Sequence, residues 1–152
     1  MMRTKALTDK QLKMLFKVLP PRDVLICKII RQTGLRISDV LALKKVDIAQ
    51  KMTILERKTK KKRTVMLTKA LVRDCAIYGA THRGMRLFNC NRSTFYRSLH
   101  RAALRFGWQN VSAHSIRKTY ARAYCRKHGV EATRRELRHD SIATTLIYLQ
   151  DL

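Results

Sequence analysis

Acidic residues, glycine and proline are all scarce in this sequence. The 152 residues include 10 Asp and Glu against 34 Lys and Arg, with 5 glycines and 2 prolines. Few glycines and prolines, together with 45% hydrophobic residues, exclude a disordered chain and are enough for one hydrophobic core. Because two complete domains would be crowded in this length, the sequence predicts a single domain over residues 1–152.

Long apolar runs and paired cysteines are missing as well. No segment approaches the ~20 apolar residues of a membrane span, and the N-terminal MMRTKALTDK has no apolar stretch typical of a secretion signal. The four cysteines (Cys27, Cys75, Cys90 and Cys125) are far apart and form no CxxC pair. This spacing argues against a zinc site or a disulfide framework. We therefore expect a reduced, cytoplasmic protein without a metal, a cofactor or a membrane partner.

The charge that is present is almost entirely positive, with a formal net charge of +24. A compact domain with this much self-repulsion normally binds a polyanion that neutralises it. Nucleic acid is the first candidate and an anionic membrane surface the second. The composition therefore predicts a DNA-associated or RNA-associated protein and offers no sign of a small-molecule substrate.

Apolar residues at helical spacing predict a mostly helical fold. Thr8 and Gln11 form a capping-box pattern at the start of the first helix. The basic stretch 57–63 lies between two short segments rich in β-branched and apolar residues, 52–55 and 64–67, which predicts a β-hairpin with a cationic turn. The further predicted helices cover about 22–32 (ended by Gly34), 38–43 (capped by Ser38), 68–78 (starting at Thr68), 93–106 (capped by Ser93), 113–127, 131–137 and 142–149.

The chemistry that the residue types allow is phosphodiester chemistry without a metal. Asp39 and Asp47 precede a lysine-rich region, so a two-metal site would have too few ligands. Metal-free cleavage of a phosphodiester instead needs a side-chain nucleophile, cations facing the developing charge and a proton donor for the leaving oxygen. Tyr, Arg, His and Lys suit those roles, and the chain contains all four.

Four motifs resemble those of the tyrosine recombinase family, of the phage-integrase type. They are TGLRISDVLAL at 33–43, RKT at 57–59 ahead of RTV at 63–65, HSIRKT at 114–119, and LRHDSIATTLIY at 137–148. The nine-residue offset from His139 to Tyr148 is the most specific part. The resemblance extends from about Thr8 to Tyr148 and implies the tyrosine recombinase catalytic-domain fold, mainly α with a small antiparallel β-sheet.

The resemblance also implies roles in cleaving and rejoining DNA without metal or ATP. Arg36 and Arg117 would hold the scissile phosphate, since a guanidinium presents paired donors to two oxygens. Lys58 would protonate the departing 5′ oxygen, or Lys60 if the hairpin register is shifted. Tyr148 would attack the phosphate and form a 3′-phosphotyrosine.

The remaining predicted site residues assist this chemistry or bind DNA. His114 would act as a base or a hydrogen-bond donor to the phosphate, and His139 as a donor to the phosphate or the leaving group. Asp39, three residues after Arg36, would orient the site. The side chains predicted to contact the DNA backbone are Lys60, Lys61, Lys62, Arg63 and Arg138.

Three features depart from the family pattern. The first motif begins within about 35 residues, so the N-terminal helical domain that closes around the duplex in relatives is expected to be absent. Arg138 stands where the family usually has glycine, which affects backbone freedom before His139. Only four residues follow Tyr148, whereas many relatives extend into a helix that docks on a neighbouring protomer. The resemblance implies double-stranded DNA as the partner, and these departures leave self-association on DNA open.

Other functions stay open from the sequence. A type IB topoisomerase would use a similar set of Arg, Lys, His and Tyr to relax one duplex. A catalytically silent DNA-binding module of the same fold and a basic RNA-binding protein are further alternatives. The target site, and the choice among integration, excision, inversion and resolution, cannot be deduced, because specificity depends on groove contacts and DNA deformability.

Overall fold

The structure is a computed structural model that describes residues 4–150, so both ends of the single domain predicted over 1–152 lie outside the described residues. Within them the elements are α1 (Asp9–Phe16), α2 (Pro21–Thr33), α3 (Ile37–Leu41), a 3-10 turn (Lys45–Asp47), β1 (Lys51–Leu55), β2 (Lys62–Met66), α4 (Lys69–Gly79), α5 (Arg92–Leu104), α6 (Ala113–His128), α7 (Val130–Glu136) and α8 (Ile142–Leu149). No helix in residues 4–150 is long and apolar enough to cross a membrane.

The predicted helix starts at Thr8 and Thr68 are confirmed. The Thr8 hydroxyl accepts a hydrogen bond from the Gln11 amide at 3.1 Å, and the Gln11 side chain accepts one from the Thr8 amide at 2.9 Å. The Thr68 hydroxyl accepts from the Leu71 amide at 3.3 Å. Each cap satisfies amides that the first turn of a helix leaves without an intrahelical partner.

The predicted caps at Ser38 and Ser93 are wrong, because both serines lie inside a helix. Helix α3 follows an extended Arg36, whose side chain makes no capping bond. Helix α5 is capped by Asn91, whose side-chain oxygen accepts from the Thr94 amide at 2.8 Å. An N-cap needs an extended backbone, and Asn91 has it with φ −102° and ψ 172°.

Gly34 ends α2 in the left-handed conformation, with φ +68°, as the sequence predicts. The ring of Tyr120 on α6 occupies the space where a Cβ at position 34 would lie. Glycine therefore serves two purposes here, the turn and the close approach of α6 to the end of α2. That approach fixes the spacing between the segments that carry Arg36 and Arg117.

The predicted β-hairpin is confirmed. Strands β1 and β2 pair antiparallel, with Met52 opposite Val65 and Leu55 opposite Lys62. Met52 and Val65 are buried and attach one face of the hairpin to the helices. The connecting turn is closed by hydrogen bonds between the Glu56 amide and the Lys61 carbonyl and between the Lys60 amide and the Glu56 carbonyl, both 2.9 Å.

Two hydrophobic clusters hold the helices together. The larger is centred on α2, where Ile26, Ile29 and Ile30 are fully buried. A smaller cluster of Ala121, Leu137 and Leu149 joins α6 to the α7–α8 region. Because α8 is attached through this second cluster, the segment that carries Tyr148 is packed directly against the helix that carries Arg117.

Candidate active site

The ends of several elements surround one basic cavity of about 400 Å³. The loop after α2, the hairpin turn, and the first turns of α5 and α6 contribute to it. Cationic and imidazole side chains dominate its polar lining, which favours an anion as its occupant. These side chains belong to Arg36, Arg57, Lys58, Arg92, His114 and Arg117.

Arg117 is the most firmly held of these side chains. Its Nε donates to the Gly34 carbonyl at 2.7 Å and its Nη2 to the Leu137 carbonyl at 2.9 Å. Burial lowers the pKa of Arg117 to about 10, and the nearby charge of Arg36 acts in the same direction. The group stays protonated at neutral pH, and its fixed orientation leaves Nη1 3.5 Å from the Tyr148 hydroxyl.

The Tyr148 hydroxyl lies among groups that can remove its proton or stabilise its charge. It is 3.0 Å from Nδ1 of His114 and 3.5 Å from Nη1 of Arg117. The Tyr148 ring also packs edge-on against His139, with ring centroids 4.7 Å apart. The structure thus brings together the two ends of the motif at 137–148 and both members of the motif at 114–119.

Both histidines favour the neutral form. Burial lowers the pKa of His139 to about 4, with further contributions from the charges of Arg117 and Arg36. Partial desolvation is also the main cause that lowers the pKa of His114, followed by the charge of Arg117. His139 Nδ1 lies 2.9 Å from the Thr145 hydroxyl, which restrains the ring. A neutral imidazole can accept a proton from Tyr148 or donate a hydrogen bond to a phosphate.

We expect His139 to make the stability of the protein depend on pH. Between its usual pKa of 6.5 and its pKa of about 4 in the fold, the unfolded chain binds a proton that the folded chain does not. Above pH 6.5 His139 is neutral in both states and does not oppose folding. As pH falls towards 4, its protonation in the unfolded chain lowers the free energy of unfolding by a total of about 2 to 3 kcal/mol. Urea denaturation at a series of pH values measures this loss.

His139→Gln is the matched variant for that measurement. It keeps His114 and every carboxylate, so only the contribution of His139 disappears from the pH dependence. The free energy of unfolding of the variant should fall less steeply from pH 6.5 to 4 than that of the unchanged protein. Parallel curves for the two proteins would show that His139 is not the group responsible.

Asp39 connects the first motif to the hairpin that carries Lys58. It is buried in α3, and its Oδ1 accepts a hydrogen bond from the Arg57 amide at 2.9 Å. Its Oδ2 is buried and makes no hydrogen bond to the described part of the chain. Lys58, one residue after Arg57, is exposed at the mouth of the cavity. Asp39 thereby anchors the backbone next to Lys58.

Glu56, which contacts Arg36 beside the cavity, was not among the residues predicted from the sequence. Its side chain is 1% exposed, and its Oε2 lies 3.1 Å from Nη1 of Arg36. Arg57 and Arg92 were also missed as lining residues of the cavity. Arg57 could have been found from its position beside Lys58, whereas Glu56 and Arg92 lie outside the quoted motifs.

Residues 5–152 match the family model described as the phage integrase family. This chain belongs to the phage integrase family. One relative, "Probable integrase/recombinase YoeC" of Bacillus subtilis (strain 168), is 30% identical over 128 residues, which cover 77% of this chain and 71% of YoeC. The family assignment from the motifs is therefore confirmed.

Solved structures of tyrosine recombinases share the fold of this phage integrase family member. A crystal structure of XerA recombinase matches with a TM-score of 0.78 and 25% identity, over 97% of this chain and 61% of XerA. Lambda integrase, in a dimer bound to a COC′ core site, matches with a TM-score of 0.76 and 19% identity, over 99% of this chain and 49% of its own. The predicted fold, mainly α with a small antiparallel sheet, is confirmed.

Within this family member the predicted DNA-contacting residues of the hairpin fall into two groups. Lys60, Lys61 and Lys62 are exposed on the hairpin, outside the cavity lining. Arg63 is buried, and its Nη2 donates to the Thr33 carbonyl at 2.5 Å and to Glu136 at 2.7 Å. The prediction that Arg63 contacts DNA disagrees with this placement, because its guanidinium is committed to internal partners.

Arg138 keeps the backbone conformation that glycine favours. Its φ is +58°, a left-handed conformation that costs a residue with a Cβ roughly 1–2 kcal/mol. Its side chain is 34% exposed, and its Nη2 donates to the Lys62 carbonyl at 2.9 Å. Arg138 therefore links the turn before His139 to the start of β2 through a hydrogen bond, and part of its side chain remains accessible to solvent.

Among residues 4–150 there is no cluster of three or more His, Cys, Asp or Glu side chains that could hold a metal ion. The side chains that line the cavity are mainly cationic, which suits an anion.

Proposed function

We propose that this chain contains the catalytic domain of a site-specific recombinase that cleaves and rejoins double-stranded DNA through a 3′-phosphotyrosine at Tyr148. The observation that supports the proposal most directly is the placement of the Tyr148 hydroxyl, 3.0 Å from His114 and 3.5 Å from Arg117, beside the basic cavity. A nucleophile, a proton acceptor and a fixed cation are the components that this reaction needs.

In the proposed complex the scissile phosphate enters the cavity between Arg36 and Arg117. Each guanidinium donates to a non-bridging oxygen, and these oxygens gain negative charge as the phosphorus becomes five-coordinate. The contacts are therefore strongest in the transition state, which is the requirement for accelerating the reaction. Because Arg117 is already held by two backbone carbonyls, little reorganisation is needed when DNA binds.

The proposed cleavage step takes a proton from Tyr148 and gives one to the departing 5′ oxygen. Tyr148 gives its proton to neutral His114 as its oxygen attacks phosphorus, and His139 donates a hydrogen bond to the phosphate. The bond between phosphorus and the 5′ oxygen breaks as Lys58 gives that oxygen a proton. Attack by a 5′ hydroxyl of another strand reverses these transfers and releases Tyr148. One phosphate ester is exchanged for another, so the step requires neither ATP nor a metal ion.

Exposed cations around the cavity would hold the flanking DNA backbone. Arg57 and Arg92 lie on the cavity wall, and Lys60, Lys61 and Lys62 extend from the hairpin beside it. Such contacts release condensed counterions from DNA, so the affinity should weaken steeply with salt. They orient the duplex without selecting a sequence.

Arg92→Ala should reduce the salt dependence of DNA binding. If Arg92 contacts one phosphate, the slope of log Kd against log salt should decrease by about one. Fluorescence anisotropy with a short duplex at several salt concentrations measures this slope. Arg73→Ala is the matched control, because Arg73 is 70% exposed on α4 and does not line the cavity. Equal slopes for the two variants would show that Arg92 does not contact the DNA backbone.

We also propose that the domain self-associates on DNA, as lambda integrase does in the dimer on its core site. Strand exchange between two duplexes requires at least two active sites held together. Three apolar side chains of α8 are exposed, Ile142, Leu146 and Ile147, at 40–46%. Burial of this face against a second copy would remove apolar surface from water.

The proposal is tested by trapping the intermediate. A nicked suicide duplex loses a short 5′-hydroxyl fragment after cleavage, so the covalent complex accumulates. Incubation with EDTA followed by a denaturing gel should show DNA attached to protein, and digestion should locate the DNA on the peptide that contains Tyr148. Tight DNA binding without any adduct, on both generic and candidate target sequences, would contradict strand cleavage and favour a binding module.

A further inference from the structure

A buried carboxylate, Glu56, lies at the centre of a cluster of arginines beside the cavity. Its Oε2 is 3.1 Å from Nη1 of Arg36, and its Oε1 is 3.9 Å from Nε of both Arg63 and Arg138. The Glu56 side chain is 1% exposed, so solvent screens these charges little. A buried carboxylate is tolerated only when opposite charges and hydrogen bonds compensate for its lost hydration.

The contact with Arg36 has a direct consequence for the phosphate site. Arg36 is 15% exposed, lines the cavity and precedes α3 in an extended conformation. Glu56 binds one terminal nitrogen of its guanidinium, Nη1. A long side chain held at one nitrogen keeps its other donors available and loses most of its rotational freedom before a ligand arrives.

Glu56 is itself fixed by the turn that contains Lys58. The Thr59 hydroxyl donates to Glu56 Oε2 at 3.3 Å, and the Lys60 amide donates to the Glu56 carbonyl at 2.9 Å. From the other side, Arg138 donates to the Lys62 carbonyl at 2.9 Å while its Nε faces Glu56. These contacts restrain both the backbone and the carboxylate of Glu56, so the carboxylate can hold Arg36 in one place.

We propose that Glu56 is a positioning residue that holds the Arg36 guanidinium in the cavity, ready to bind the scissile phosphate. The proposal rests on the DNA-cleaving function given above. Without the negative charge of Glu56, Arg36 would have no carboxylate partner within the described chain, and repulsion from the nearby guanidinium of Arg117 would move it towards solvent. Glu56 touches no reacting atom in this scheme and acts only through Arg36.

The test uses Glu56→Gln, which keeps the size of the side chain and removes its charge. Cleavage is measured in single turnover on three suicide duplexes: an ordinary one, one with a methylphosphonate at the scissile position, and one with a 5′-bridging phosphorothiolate. The methylphosphonate carries one negative charge less, so it depends less on Arg36. The thiolate leaves without needing a proton, so it depends less on Lys58.

We expect Glu56→Gln to cleave the ordinary duplex about 10- to 100-fold more slowly, the loss typical of one charge-assisted hydrogen bond. The defect should shrink to within about threefold on the methylphosphonate and persist on the phosphorothiolate. An unchanged rate on the ordinary duplex, or an equal defect on all three substrates, would overturn the inference. So would a defect that shrinks only on the phosphorothiolate, because that result assigns Glu56 to Lys58.

Glu136→Gln is the matched control. Glu136 also binds Arg63, at 2.7 Å, and it makes no ion pair with Arg36 within the described chain. Any cleavage defect of Glu136→Gln should be equally large on the ordinary duplex and on the methylphosphonate duplex. Absence of an adduct with the unchanged protein would instead refute strand cleavage itself, so the two proposals fail in different ways. Thermal denaturation of each variant shows that the comparison is made on folded protein.

Discussion

Tyr148→Phe should abolish formation of the covalent complex, with a loss of at least about 10⁴-fold in the single-turnover rate, as expected when a nucleophile is removed. The substitution deletes one oxygen, which is the only atom of that side chain able to attack phosphorus. The ring that packs against His139 and over Arg117 is retained. The fold should therefore survive, and DNA should bind with nearly unchanged affinity.

The measurement is the same suicide-substrate assay on a denaturing gel, with Tyr96→Phe as the control. Tyr96 is 50% exposed on α5 and stacks on His100, so its hydroxyl has no part in the proposed site. Tyr96→Phe should form adduct at the unchanged rate. An adduct that persists in Tyr148→Phe would show that another residue is the nucleophile.

The sequence was sufficient for the fold class and for most of the side chains that meet at the site. Gly34, the capping pattern at Thr8 and the two β-branched, apolar segments of the hairpin are local signals, and the structure follows each of them. Arg117 and Tyr148 were identified from motifs, since the chemistry requires those residue types in a fixed order. Their proximity, 3.5 Å between Nη1 and the hydroxyl, could not have been deduced without the family resemblance, because they lie on different helices.

Arg63 shows that a basic composition does not by itself predict an exposed side chain. In the sequence it is the last residue of a uniformly basic run and looks equivalent to Lys62. Arg63 and Val65 in β2, and Leu67 just after it, alternate to the buried face, while Lys62 and Thr64 are exposed. This alternation of buried and exposed residues was present in the sequence, but the run of basic residues favoured an exposed position for all of them. The buried guanidinium of Arg63 is compensated by two carboxylates, Glu136 at 2.7 Å and Glu56 at 3.9 Å.

Glu56 follows the last residue of β1 and continues the inward alternation of Met52 and Ile54. That alternation agrees with its burial, but it does not predict which side chains surround it. Its environment is produced by Arg36 from the loop before α3 and by Arg138 from the corner before α8. Local patterns do not predict a residue whose role depends on several distant segments. A single sequence also offers no covariation that would reveal such a residue.

Arg117→Lys should produce the second large effect, a loss of about 10²–10³-fold in cleavage, comparable with removing one donor to a developing negative charge. Lysine keeps the charge but cannot reach the Gly34 carbonyl, the Leu137 carbonyl and the phosphate together, as the guanidinium does. Arg117 has no carboxylate within ion-pairing distance among residues 4–150, so backbone carbonyls are its main anchors.

The same substitution should lower the free energy of unfolding by about 1–3 kcal/mol, because at least one buried carbonyl loses its donor. Single-turnover cleavage and urea denaturation of Arg117→Lys measure the two effects, and Arg73→Lys, an exposed arginine on α4, is the control for the exchange itself. A methylphosphonate duplex should recover part of the lost rate without restoring stability, since only the catalytic effect depends on phosphate charge. If rate and stability fell together and the neutral phosphonate recovered nothing, Arg117 would be a structural arginine that happens to lie beside Tyr148.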